Sequence, residues 1–161
     1  QMCTLSTSSA ASDVYKRQVH PRIGFPFNWI TQLEGTEPAD NWDPVQQMGI
    51  IYWVYPNLIL ANSPVGVEVI DILPADSATT CTVRHSWMAR YPATTPEQTE
   101  MYDGIFAQVH AAVRDEDFTM LPQCGEGVRR GQHDHMVLGR NEIGVQHMVR
   151  VMAEKLKISL P

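Results

Sequence analysis

From Met48 onward the chain runs in short blocks of β-branched and aromatic residues, and this pattern predicts strands at Met48 to Tyr55, Leu58 to Ala61, Val65 to Leu73 and Thr79 to Arg90. Pro56-Asn57, Asn62-Ser63-Pro64 and Pro74-Ala75-Asp76-Ser77 separate the blocks as turns. Links this short favour antiparallel hairpins, because a parallel pair needs a crossover of about a dozen residues. In the last block Cys81, Val83, His85, Trp87 and Ala89 alternate with Thr82, Arg84 and Ser86, as a half-buried strand requires. An inward His85 is either a satisfied core histidine or a polar group in a substrate cavity. Upstream, Val19 to Asp43 carries Pro21, Pro26 and Pro38 with Gly24 and Gly35, which predicts an irregular connection with one short strand around Asn28 to Leu33.

The period then changes from two to helical. Thr95-Pro96-Glu97-Gln98 predicts a helix start, with Thr95 as N-cap, Pro96 at the first helical position and Gln98 closing a capping box. Met101, Ile105, Phe106, Val109, Ala112 and Val113 form its apolar stripe, which must pack on the sheet. Asp115, Glu116 and Asp117 stand where the helix dipole disfavours acids, unless a new helix begins there or a cation lies nearby. Pro122 argues against a helix through the following segment. Asn141 is the expected cap of a last helix with the stripe Ile143, Met148, Val151, Met152 and Leu156, with Glu142 in its first turn and Lys155 and Lys157 at its end. The fold class is α+β, an antiparallel sheet with long packing helices.

Charge and cysteine usage narrow the function classes. The 161 residues hold 18 acids and 12 Lys or Arg, a net charge of -6 with no basic patch, so a nucleic-acid partner is not expected. Three scattered cysteines give no disulfide framework and favour a reducing cytoplasm. The longest apolar run, Met48 to Ala61, is broken by Pro56-Asn57, so no membrane partner is expected. Residues 1–18, rich in serine and alanine, are expected to be a disordered or artefactual tail outside the fold. His133-Asp134-His135, with Cys124 behind it, is a weak metal cluster that reads more simply as an exposed loop. Gly125-Glu126-Gly127 is too short for a phosphate-binding loop.

Three motifs in series are more specific: Val-x-x-Glu-Asp-Phe from Val113, Gly-x-Gly-Val-Arg-x-Gly from Gly125 to Gly131, and Gly-Arg-Asn-Glu-x-x-x-Gln-His from Gly139 to His147. Their order resembles the C-terminal part of the catalytic domain of Rieske-type aromatic-ring-hydroxylating oxygenase alpha subunits, over roughly Met48 to Leu156. The resemblance implies a helix-grip (START-like) sheet around an apolar pocket. It also implies a mononuclear Fe(II) held by two histidines and one carboxylate, the carboxylate falling on Asp117. It implies an apolar substrate and dioxygen as partners, electrons from a [2Fe-2S] Rieske cluster refilled by a reductase or ferredoxin, and a homo-oligomer at full length. His85, Trp87, Phe106, Val109 and Val113 are the expected lining of the substrate pocket.

Two parts of that pattern are missing from the sequence. No Asp-x-x-His-x-x-x-x-His pair occurs among His20, His85, His110, His133, His135 and His147. Cys3, Cys81 and Cys124 have no histidine two or three residues on, as a Rieske centre needs. Residues 19–161 are therefore expected to be the C-terminal part of the domain, incomplete at the N-terminal side and inactive alone. The alternative is a metal-free helix-grip module that binds an apolar small molecule. Unpaired strand edges left by a missing half-sheet would favour aggregation or dimerisation.

Overall fold

A computed structural model describes residues 19–33, 43–77, 79–131, 135 and 137–160. Five strands form one open antiparallel sheet in sequence order: β1 (Arg22–Pro26), β2 (Met48–Val54), β3 (Leu58–Asn62), β4 (Gly66–Pro74) and β5 (Cys81–Ala89). The four strands expected from Met48 onward all form, each within two residues of its predicted ends. The strand expected around Asn28 to Leu33 does not form. That segment is a 3-10 helix, and the additional strand is β1, immediately before it. The cause is local. The Phe27 N–H makes a last bond to the Gln47 carbonyl at 2.8 Å, and the Ile30 N–H then turns back to the Phe27 carbonyl at 3.0 Å. The Trp29 indole, stacked on Phe27 with centroids 4.5 Å apart, donates to the Gln46 carbonyl at 2.8 Å and holds the turn closed.

The register assigns the faces. Ile23, Ile51, Ala61, Glu68 and Trp87 are joined strand to strand by direct pairing, as are Trp53, Ile59, Ile70 and His85, so all nine share one face. On the opposite face Arg84 lies across from Asp71 and donates to its carboxylate through Nε at 2.9 Å and a terminal nitrogen at 2.7 Å.

Helices cover the first face. A single turn, α1 (Pro44–Gln47), is capped by Asp43, whose Oδ1 accepts from the Val45 N–H at 2.9 Å, and it leads straight into β2. The long helix α2 (Pro96–Asp115) lays Phe106 and His110 on His85 of β5, and α3 (Asp117–Arg129) follows after Glu116. The last helix, α4 (Ile143–Leu156), packs Gly144 on Ile23 of β1, so closely that a Cβ there would come within 2.7 Å of the isoleucine Cδ1. Among the described residues the buried hydrophobic side chains are Trp53 of β2 and Val151 and Ala153 of α4, which places the best-covered part of the core under α4.

Several expected helix details shift. Thr95 does cap α2, accepting from the Gln98 N–H at 3.3 Å, but Gln98 Oε1 reaches back to the N–H of Thr94 at 2.7 Å instead of that of Thr95. The covered stripe of α2 runs through Tyr102, Ile105, Phe106, Val109, His110 and Val113, while Met101 and Ala112 are exposed. Ile105, Phe106, Val109 and Val113 stay in the expected stripe, and Tyr102 and His110 take the places of Met101 and Ala112. The chain remains helical through Pro122, whose missing N–H leaves the Phe118 carbonyl without its usual acceptor role. The N-cap of α4 is Glu142, not Asn141. Ile143 and Leu156, placed in the apolar stripe of α4 by periodicity, are exposed at its two ends. Among the described residues no helix is long and apolar enough to cross a membrane.

Candidate functional site

Among the described residues, α2 and the sheet bring several ionisable side chains together at the β4–β5–α2 seam. His85 stands inward on β5 with its side chain 2% exposed. Its Nδ1 lies 3.1 Å from Nδ1 of His110 on α2, and its Nε2 lies 3.3 Å from Oε2 of Glu68 on β4. The second contact is close but poorly aligned, so Nε2 is a buried nitrogen without a formed hydrogen bond. Phe106 closes the seam, 5.2 Å from His85 edge to face and 5.6 Å from His110.

Trp87 lies two residues along β5 and directly opposite Glu68. Its indole N–H is buried and without a partner. The indole lies over Gly66, where a side chain has no room. Of the expected pocket residues, the structure thus brings His85 and Phe106 into contact and sets Trp87 beside them. Val109 and Val113 are half-buried on the same side of α2.

Glu68 and His110 were not foreseen as members of this group. His110 was legible in principle, since it lies four residues after Phe106 and so on the same helical face. Glu68 was not, because its place beside His85 depends on the β4–β5 register.

Asp117 begins α3 and is exposed. Its carboxylate makes no hydrogen bond or ion pair among the described residues. The acidic run around it is accommodated in both foreseen ways: a new helix starts at Asp117, and the Arg114 guanidinium bonds Asp115 at 2.6 and 3.0 Å. That bond holds the Asp115 carboxyl below its ordinary range and raises the Arg114 guanidinium. At the other end of α2, the Glu97 carboxyl is lowered first by its own backbone N–H and then by the Thr95 hydroxyl.

The Gly-Arg-Asn-Glu-x-x-x-Gln motif has a structural explanation. The Glu142 carboxylate accepts from the Gly139 N–H, and Gln146 Nε2 donates to the Gly139 carbonyl at 2.6 Å, so both polar groups of one glycine are bound by the first turn of α4. An apolar cleft lies beneath that turn, lined by Pro21, Ile23, Ile51, Trp53, Val145 and Met148.

An antiparallel sheet with long helices on one face, and a polar seam set in apolar walls, makes this an α+β domain. The profile described as the ring hydroxylating alpha subunit (catalytic domain) matches residues 13–158. The chain belongs to this family of ring-hydroxylating oxygenase alpha subunits. Neither a curated protein nor a solved structure matches it.

The family implies a non-haem iron and a Rieske cluster. Among the described residues no group of three His, Cys, Asp or Glu is placed to hold a metal ion. The described residues therefore do not by themselves complete an iron site. Cys81 and Cys124 are exposed free thiols with no histidine at Rieske spacing, so they do not fit the cluster. His133 and Asp134 of the weaker candidate cluster lie outside the described residues.

Proposed function

We propose that this domain forms the substrate-binding wall of an oxygenase alpha subunit that hydroxylates an aromatic or other apolar small molecule with dioxygen. The family match over residues 13–158 carries this reading. The side chains of the β4–β5–α2 seam support it, since Phe106 and Trp87 offer flat apolar surface around a few placed polar groups. Asp117 is the proposed iron carboxylate. The reading requires two histidine ligands and a Rieske cluster from residues other than these 161, with a reductase or ferredoxin supplying electrons, and a homo-oligomeric cytoplasmic enzyme. Iron, when bound, supplies the dioxygen chemistry. The residues of this chain bind and orient the substrate and exclude water from it.

Isotope labelling tests the reading. The full-length subunit, supplied with its reductase, an aromatic substrate and ¹⁸O₂, should give product carrying the heavy isotope. Product whose oxygen comes from water, or no oxygen-dependent product from any aromatic substrate, would contradict it.

The cleft between β1, β2 and α4 favours a second reading, a metal-free carrier, because its lining is almost wholly apolar. A carrier would bind an apolar ligand equally well in Asp117→Ala and in the presence of an iron chelator.

A further inference from the structure

Glu68, His85 and His110 lie in series, and the order of their contacts favours one placement of the protons. A neutral imidazole has one N–H and one lone pair. Between two neutral rings the Nδ1 to Nδ1 contact of 3.1 Å therefore holds only when one donates and the other accepts. A carboxylate only accepts, so the Glu68 charge 3.3 Å from His85 Nε2 favours a proton on that nitrogen, although the contact is not aligned as a hydrogen bond. His85 then presents its lone pair at Nδ1, and His110 donates from Nδ1. The remaining nitrogen of His110, Nε2, is left as an acceptor. The opposite order would set the Nε2 lone pair of His85 against the carboxylate at 3.3 Å, around a side chain only 2% exposed, where water gives little relief.

We infer that Glu68 is a positioning residue that fixes His110 Nε2 as a hydrogen-bond acceptor, and that the site thereby selects an aromatic substrate bearing an O–H or N–H donor. The favoured class is a phenol or an aniline, over the matching ether or carbonyl compound. Phe106, packed on both rings, supplies the apolar surface for the substrate ring. A site built around an acceptor discriminates against an analogue without the donor, because the lone pair then loses its partner. The selectivity rests on the seam being the substrate pocket; the tautomer assignment does not.

Two measurements on the whole chain test the inference. Nitrogen-15 NMR of the histidine side chains should find His85 protonated at Nε2 and His110 at Nδ1. Titration with phenol and with anisole, followed by tryptophan fluorescence, should show phenol binding about tenfold more tightly. In Glu68→Gln the amide can both donate and accept, so a population of His110 protonated at Nε2 should appear and the phenol preference should fall toward one. Should that variant not fold, the wild-type spectrum and the wild-type binding ratio decide alone. His110 protonated at Nε2 in the wild type, or anisole bound as well as phenol, would overturn the inference. The isotope result for the oxygenase reading is separate, since it depends on where product oxygen comes from and not on either tautomer.

Discussion

Gly66 and Trp87 occupy one space: a Cβ on the glycine would come within 2.6 Å of the indole Cζ2 and 2.5 Å of the Met88 carbonyl oxygen. The first residue of β4 thus lets the indole lie flat over the strand, directly beside the Glu68–His85 contact. Gly66→Ala has no neutral solution, because one of the two obstacles is backbone. We expect a loss of about 1–3 kcal/mol in urea unfolding, the usual cost of overpacking, together with changed tryptophan fluorescence as Trp87 is displaced. Wild-type stability and spectrum in this variant would show that the indole does not rest there.

The two histidines of the seam should be energetically coupled. In a double-mutant cycle of His85→Ala and His110→Ala, the effects on unfolding free energy should fall short of additivity by about 0.5–1.5 kcal/mol, since either single change already removes the 3.1 Å contact. Strict additivity would mean that the rings do not meet in solution.

Thr95 caps α2 through its hydroxyl oxygen. Thr95→Ala should cost about 1 kcal/mol of stability, and the Glu97 carboxyl, which the hydroxyl helps to lower, should titrate higher by NMR. The sign of the acid dependence follows from the lowered groups. Glu97 and Asp115 have folded pKa values below their unfolded ones, so the stability they contribute is present above the unfolded values of 4.5 and 3.8 and is lost as pH falls through the folded ones. Both groups are exposed, and the effect should be small and weakened by salt.

Glu142 and Gln146 bind the two polar groups of the Gly139 backbone. Glu142→Ala should destabilise the start of α4 by about 1 kcal/mol, visible as faster amide exchange at Gly139 and in the first turn. The histidine tautomers of the seam should not change, because α4 packs at the other end of the sheet. Loss of the seam tautomers in this variant would show that the motif acts beyond α4.

Periodicity read well wherever the chain was in register with one neighbour. The four hairpin-linked strands followed from alternation and turn residues, and the start of α2 followed from Thr95 and Pro96, because these signals are local. The strand Arg22–Pro26 was missed because its pairing with Met48–Tyr52 closes a long connection that no local pattern announces. Asn141 had the better capping side chain, but Glu142 takes the cap because its carboxylate is held by Gly139. In the site, His85 and Phe106 were legible from alternation and helical spacing. Glu68 has no local signature, because its place beside His85 depends on the pairing of β4 with β5, and His110 is a polar residue within an otherwise apolar stripe. Asp117 was singled out by motif resemblance alone. Its exposed position, with no partner among the described residues, gives it no geometric signature within this chain.

Asp117 is proposed as the carboxylate of a mononuclear iron site, and metal analysis of the full-length subunit tests this most directly. Iron would be measured in wild type and Asp117→Ala, with the Rieske electron paramagnetic resonance signal as the control for folding. We expect the variant to keep the cluster signal and to lose its mononuclear iron and its hydroxylation together. Mononuclear iron at wild-type stoichiometry in Asp117→Ala would remove this residue from the site.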